Sequence, residues 1–402
     1  MTDCLPDAPW RHRPGLDSLF DAIGARDGLA RFVGGAVRDG LLGLPVNDLD
    51  IATVLTPQSV IERLERAGIK AVPTGIAHGT VTAVLPGGPV EITTLRRDIE
   101  TDGRRATIAY TDDWREDAAR RDFTINALFA DPLTGAITDY FGGLADLAQR
   151  HVRFIGDADA RIAEDHLRIL RYFRFLARYG DGEPDAIALA ACRAAANSLM
   201  ALSRERIADE LLKLLALPCP QATLRLMIGG GILQPVLPEI DDQGLARLER
   251  LTAREQEAGV PHAPLRRLAA LLPPDARIAG QVGARLKLSN KARKRLVTAL
   301  ESSGEPTAIQ ALAYRIGIEG AIDRALLGSA EVATLAALDS WTPPHLPISG
   351  GALIARGLPP GPDVAKALGE VQDCWIAEGF PDKSRVAAIA DQIVSKFQRA
   401  RQ

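Results

Sequence analysis

The stretch Arg31-Phe32-Val33-Gly34-Gly35-Ala36-Val37-Arg38-Asp39, followed by Asp48-Leu49-Asp50-Ile51, decides the fold of this chain. A short apolar run enters paired glycines and a basic helix start. The next apolar run carries two carboxylates two residues apart. In a strand, residues i and i+2 point to one face. Asp48 and Asp50 therefore present their oxygens to one point, which a hard divalent cation requires. Gly34 and Gly35 let the backbone approach a bulky group, N–H groups at a helix start favour an anion, and Arg38 pairs with phosphate oxygens. Taken singly, these signals are weak: paired glycines mark many tight turns, and a lone Asp-x-Asp is usually a solvated strand end. Coupled, they imply transfer of a nucleotidyl group. Glu91 adds a third carboxylate within Val90-Glu91-Ile92-Thr93, an apolar run where a lone charge is costly. If its strand neighbours that of Asp48 and Asp50, three carboxylates can bind two metal ions.

Around this centre, residues 16–145 alternate short strands and helices. Strands are expected at 31–33, 48–52, 70–73, 80–85, 90–94 and 136–140, and helices at 36–42 and 57–67. Pro57 at the start and Gly68 just past the end bracket the second helix as expected. Residues 1–15, with Pro6, Pro9 and Pro14, read as a loose lead-in. The mixed-charge stretch from Arg96 to Glu116 reads as a long mobile loop. After Asp146 the strands stop and helices follow to the end, broken by Pro and Gly. The fold class is thus an α+β head followed by an all-α remainder, divided at 146–230 and 231–402.

The chain has 402 residues, 47% hydrophobic and 25% charged, with a net charge of −3. No apolar run is long enough to span a membrane, and the N-terminus lacks a signal-peptide pattern. The separated cysteines Cys4, Cys192, Cys219 and Cys374 argue against zinc or a disulfide framework and suit a reducing cytoplasm. The low net charge conceals basic stripes: Arg168, Arg171 and Arg174, then Arg285-Leu286-Lys287 and Lys291-Ala292-Arg293-Lys294-Arg295. His78 reads as a turn residue. No Ser-His-Asp elbow supports acyl transfer.

Two further segments carry chemistry. Arg120-Arg121-Asp122-Phe123-Thr124-Ile125-Asn126 is either a capped turn, with Asp122 neutralising an arginine, or a contact to phosphates and ribose hydroxyls. In Glu164-Asp165-His166-Leu167-Arg168, Asp165 and Arg168 are expected on one helix face, a row that Arg171 and Arg174 extend. Such a row is commonly a ladder of weak ion pairs. It also fits base chemistry. Cytosine and adenine offer an amino donor beside a bare ring nitrogen, so a carboxylate and a guanidinium match CTP and ATP. GTP and UTP would leave polar groups unmatched, which discriminates strongly. Ser203 is read as the cap of a helix on which Arg206 and Glu210 pair at i, i+4 and brace the template segment.

In order, GGAVRD, DLD, RRDFTINAL, DYFGGLADL, EDHLR and ERIADE resemble the class II tRNA nucleotidyltransferases, the CCA-adding enzymes of the polymerase-β nucleotidyltransferase superfamily. The likeness covers about residues 30–215, and the region from Ile348 resembles the family's tail, although Gly351 stands where relatives often have Asp. It implies a polymerase-β-like mixed-sheet head, then neck, body and tail, the last two gripping the tRNA acceptor arm. By resemblance, Asp48 and Asp50 hold Mg²⁺, two ions being expected together with Glu91. Gly34, Gly35 and Arg38 contact the triphosphate, and Arg120, Arg121 and Asp122 bind phosphate and sugar. Asp165 and Arg168 are template residues with Arg171 and Arg174 nearby. Asp139, Gly142, Gly143 and Asp146 match a hinge between head and neck, and Arg96–Glu116 a flexible loop that helps switch from C to A. The implied partners are the tRNA 3′ end, CTP and ATP, with oligomeric state open. Rivals are a poly(A) polymerase, a CC- or A-only enzyme, and an inactive RNA-binding descendant. Gly75-Ile76-Ala77-His78-Gly79-Thr80 lacks the basic segment of the first, the charged loop argues against a CC-only enzyme, and the intact carboxylates argue against the last.

Overall fold

Residues 3–102, 105–181, 183–301 and 308–399 are described by the computed structural model, and they fall into two units, Met1–Pro238 and Glu239–Gln402. In the first, α1 (Leu16–Ala22) leads to β1 (Ala30–Val33), α2 (Gly35–Leu41), β2 (Asp50–Thr53) and α3 (Pro57–Arg66). Strands β3 (Lys70–Gly75), β4 (Thr80–Leu85) and β5 (Gly88–Thr94) follow. A hairpin of β6 (Arg96–Asp102) and β7 (Arg105–Tyr110) precedes α4 (Trp114–Ala119) and the short strands β8 (Phe129–Ala130) and β9 (Ile137–Thr138).

One 7-stranded sheet runs in the order β3-β4-β5-β2-β1-β8-β9. The β2–β5 pair is parallel and the other neighbours antiparallel, so the sheet is mixed. Phe32 at its centre is fully buried, contributing about 2–3 kcal/mol. Thr56 caps α3 by accepting from the Ser59 N–H, Pro57 occupies the first turn, and Val60 and Leu64 face the core.

The structure departs from the sequence reading in several places. β2 starts at Asp50, so Asp48 lies in the segment before the strand. Glu91 is exposed, because β5 alternates and only Val90, Ile92 and Thr94 face inward. Its charge therefore stays wet and carries none of the expected burial cost. The stretch from Arg96 to Glu116 is a paired hairpin and a helix, not an aperiodic loop; the mixed charges masked the strand propensity of Ile108 and Tyr110. Residues 103–104, between the two strands in sequence, lie outside the described residues. β8 was absent from the expected set, being only two residues long. The lead-in is fastened: the Leu5 N–H donates to the Gly135 carbonyl, the Ile137 N–H donates to the Asp3 carbonyl, and Trp10 packs edge-on against Phe32 at 5.2 Å.

Beyond β9 the first unit is helical: α5 (Gly143–Ala148), α6 (Ala158–Glu164), α7 (Leu167–Tyr179), α8 (Ala186–Ala194), α9 (Arg204–Leu215) and α10 (Gln221–Gly229). Gly143 opens α5 where no side chain fits: a Cβ there would stand 2.3 Å from the Thr124 carbonyl oxygen. The Asp139 carboxylate accepts from the N–H groups of Phe141, Gly142, Gly143 and Leu144, holding that helix start. α7 is tied to the segment after α4 by aromatics, with Phe123 and Phe175 centroids 4.9 Å apart.

The second unit consists of α11 (Asp242–Glu257), α12 (Pro264–Leu271), α13 (Ala276–Arg285), α14 (Asn290–Leu300), α15 (Ile309–Ile316), α16 (Ile318–Leu327), α17 (Gly350–Ile354), α18 (Pro362–Ala377) and α19 (Lys383–Arg399). Among the described residues it holds no strand. Trp375 centres a core between α18 and α19. A second core is ionic: Glu255 accepts from Arg266 and Arg267, and Asp323 from Arg266 and Arg295.

Candidate active site

The sheet brings two carboxylates side by side. Asp50 and Glu91 are register partners across the parallel pair β2–β5. Burial pushes the Asp50 carboxyl above its ordinary range; the charges of Glu91 and Asp48 add to this and Arg121 opposes it. Asp48 is exposed one residue ahead of Leu49, which is buried. Among the described residues, no three acidic, histidine or cysteine side chains already stand close enough to hold one ion.

Beside them, Gly34 adopts φ 66° and ψ −120°, a conformation that only glycine takes readily, and so turns β1 sharply into α2. α2 has only 7 residues, so its N–H groups are a weak anion lure and arginines supply the positive field. Arg38 is buried, donates from Nε to Asp39 Oδ1 at 2.8 Å and from Nη1 to Asn126 Oδ1, and lies 4.1 Å from the Tyr179 ring centroid.

Arg120 and Arg121 follow α4, and both fork onto Asp117, with Nη2 contacts of 2.6 and 2.8 Å. Burial pulls Arg120 down to about 10, against the attraction of Asp117. Asp122 is a buried junction. It accepts from Arg171 Nε at 2.7 Å, from the Asn126 amide and from the Phe123 N–H. Burial alone would raise its carboxyl, but Arg171 and these donors hold it below the ordinary carboxylate range.

The template segment differs from the expected helix face. Asp165 terminates α6 in extended conformation (φ −152°), and α7 begins only at Leu167. Asp165 and Arg168 therefore do not share one helix. Asp165 accepts from Arg206 Nη2 at 2.7 Å and from the Leu167 N–H. Arg168 donates to the carbonyls of Arg161 and Arg120 and pairs with Glu164. Arg206 and Glu210 do not pair along α9 either: Glu210, buried, accepts from Arg174 Nε at 2.6 Å. α9 thus reaches across to the α6–α7 break and to α7. Ser203 precedes α9 but its hydroxyl caps no N–H. His78 ends a turn whose carbonyl accepts from Arg96.

A cleft of about 1000 Å³ gathers all of these groups: Gly34, Gly35, Arg38, Asp48, Asp50, Glu91, Arg120, Arg121, Asp122, Asp165, Arg168, Arg171 and Arg174. Basic side chains outnumber acidic ones along its walls, which suits a polyphosphate. Arg96, Asn126, Phe175, Arg206 and Lys213 also line it. Asn126 had a signal, its place in the Arg120–Asn126 motif. Phe175 stands among the α7 arginines, 4.7 Å from the Arg174 guanidinium, and its sequence spacing reads equally as core.

Residues 30–153 match the poly A polymerase head domain family, and residues 185–243 match the probable RNA and SrmB-binding site of polymerase A. The chain is 35% identical over 383 residues to the mitochondrial CCA tRNA nucleotidyltransferase 1 of Homo sapiens, covering 91% of this chain and 87% of that one. It is 41% identical over 241 residues to the CCA-adding enzyme of Latilactobacillus sakei, 60% of this chain and 59% of the relative. The crystal structure of the Bacillus stearothermophilus CCA-adding enzyme in complex with CTP superposes with a TM-score of 0.75 at 28% identity, covering 96% of this chain and 100% of that one. With more than a third of its residues identical to a relative over nine-tenths of the length, and a fold shared from end to end, the chain belongs to the CCA-adding tRNA nucleotidyltransferase family.

Proposed function

We propose that this protein adds C, C and A to the 3′ end of tRNA, using CTP and ATP without a nucleic-acid template. The observation that carries this reading is the single cleft in which a carboxylate pair, an arginine-lined wall and the Asp165–Arg168 segment face one another. The primer's 3′ hydroxyl attacks the α-phosphate in line, and pyrophosphate leaves. Arg38, Arg120 and Arg121 hold the phosphates, and Asp122 with Asn126 meets the sugar. Asp165 accepts from the amino group of cytosine or adenine, and Arg168 donates to the ring nitrogen after leaving Glu164. Positioning and charge complementarity supply most of the acceleration.

The donor set at Asp48, Asp50 and Glu91 fits Mg²⁺: hard anionic oxygens, two of them in register, with mutual repulsion that a divalent cation relieves. When bound, such ions lower the pKa of the attacking hydroxyl and neutralise charge developing on the phosphates. Asp48, exposed ahead of β2, lines the same cleft and would complete the donor set.

The second unit meets the RNA backbone. Between Asp275 and Glu301 the chain carries Arg277, Arg285, Lys287, Lys291, Arg293, Lys294 and Arg295 and no acidic residue. Arg285 and Arg295 are spent on Glu239 and Asp323, whereas Lys291, Arg293 and Lys294 are exposed along α14. Head, neck and body-tail follow the limits 16–145, 146–230 and 231–402. No helix among the described residues is long and apolar enough to cross a membrane, and we place the enzyme in the cytoplasm; fractionation with an organelle would overturn that placement.

The test is incubation with tRNA lacking its 3′ CCA, Mg²⁺ and each nucleoside triphosphate in turn. Addition of two C residues from CTP and then one A from ATP is expected. A poly(A) ladder, or products stopping at CC, would replace this reading with one of its rivals.

A further inference from the structure

Asp117 has a role that neither its exposure nor its sequence context suggests. It sits in the last turn of α4, with 1% of its surface exposed. A buried carboxylate has to be matched, and here Asp117 is matched by Arg96, Arg120 and Arg121, three residues that line the cleft. Oδ1 accepts from Arg120 Nε and Nη2 at 2.9 and 2.6 Å; Oδ2 accepts from Arg121 Nε and Nη2 at 3.2 and 2.8 Å. One carboxylate thus receives two planar guanidinium forks, each of which fixes both the direction and the roll of its side chain. Oδ1 also accepts from the Arg96 N–H at 3.3 Å, at the root of the β6–β7 hairpin.

The main chain of the arginine pair is fastened from the other side. Arg161 donates to the carbonyls of both Arg120 and Arg121, and Arg168 donates to that of Arg120. The pair is therefore held by its backbone from α6 and α7 and by its side chains from α4. Arg121 Nη1 ends 3.5 Å from where a Cβ on Gly34 would stand, at the turn where β1 meets α2. Free arginines at a cleft wall sample many rotamers, and ordering them on binding costs affinity. Asp117 removes that cost beforehand.

We infer that Asp117 is a positioning residue that presets Arg120 and Arg121 for the triphosphate and couples them to the root of the β6–β7 hairpin. This rests on the assignment of those arginines to the phosphates. The two effects of Asp117 on an incoming polyanion have opposite signs. Its negative charge repels phosphates, so a purely electrostatic role predicts tighter nucleotide binding once the charge is removed. Its geometry aims two guanidinium groups, so a positioning role predicts weaker binding.

The experiment compares the full-length protein with D117N, following KM and kcat for CTP and ATP on tRNA acceptors, and binding of inorganic tripolyphosphate by calorimetry. The expected result is that D117N raises KM for both nucleotides and the Kd of tripolyphosphate by about tenfold, with kcat changed much less. In an R121A background, D117N should add less than it does alone, because the side chain it aims is gone. D117E should recover part of the affinity by restoring the carboxylate. Where D117N fails to fold, D117S, which leaves room for a water in place of the carboxylate, is measured instead. Unchanged or tighter tripolyphosphate binding in the folded variant overturns the inference, as does full additivity with R121A. Tripolyphosphate binding does not depend on tRNA: if the wild-type protein adds no nucleotide yet binds tripolyphosphate, and D117N binds it more weakly, the functional reading sinks and the role of Asp117 stands.

Discussion

Asp165 is held by Arg206 from a distant helix rather than by Arg168 from the next turn, and Glu210 is held by Arg174 rather than by Arg206. The residues of this site were legible in the sequence because their types carry the chemistry. Their pairings were not, because i, i+4 spacing says nothing about which helix packs opposite. Replacing Asp165 by Ala should relax selectivity so that UTP or GTP is incorporated; retained discrimination would remove the carboxylate from base recognition. Changing Asp48 or Asp50 to Ala should lower nucleotide addition on the order of a thousandfold or more while leaving tRNA retention in a gel-shift assay intact. Full activity of either variant refutes the metal assignment. The lowered carboxyls have a pH signature. Asp117 and Asp122 both lie below their ordinary value of 3.8 in the folded protein: burial raises each, but Arg121 and Arg120 together outweigh it at Asp117, and Arg171 with the Asn126 amide and the Phe123 N–H together outweigh it at Asp122. Their contribution is complete above the ordinary value and is lost as pH falls through the lower folded one. Melting temperature should therefore drop steeply below about pH 4, and D122N should flatten that acid limb.

At the scale of elements, the sheet was readable because β1, β2, β4 and β5 are apolar runs bounded by turn residues. The hairpin was hidden by its charges, and β8 by its shortness. Crowding at the start of α5 makes a sharp expectation. Gly143→Ala would press a methyl group into the Thr124 carbonyl and should destabilise the first unit by about 1–3 kcal/mol in a thermal melt. An unchanged melting temperature would mean that the α5 start moves freely. The β6–β7 hairpin is expected to govern the change from C to A: removing 102–105, which includes residues 103–104 outside the described residues, should leave products stalled at CC. Normal A addition by that deletion would show that the hairpin is not the switch.

At the scale of the molecule, composition indicated a helical remainder, and among the described residues the second unit is built of helices without strands. The ionic core of Glu255, Arg266, Arg267 and Asp323 could not be anticipated, since a sequence displays charges without showing which are buried. Reversing Lys291, Arg293 and Lys294 to Glu together should weaken tRNA binding by roughly tenfold or more and lessen its dependence on salt. Because none of these three residues lines the cleft, KM for CTP and ATP should stay unchanged. Unaltered RNA affinity would take α14 out of the interface.

The opening residues have a practical bearing. By pairing with the outermost strand, they cover a row of backbone donors and acceptors that any extended chain could otherwise annex. Trimming the first dozen residues, or displacing them with a bulky fusion partner, would strip Trp10 from the sheet's aromatic centre and leave that rim adhesive. Preparations altered in this way should cluster through edge-to-edge pairing, so purification handles belong at the opposite terminus.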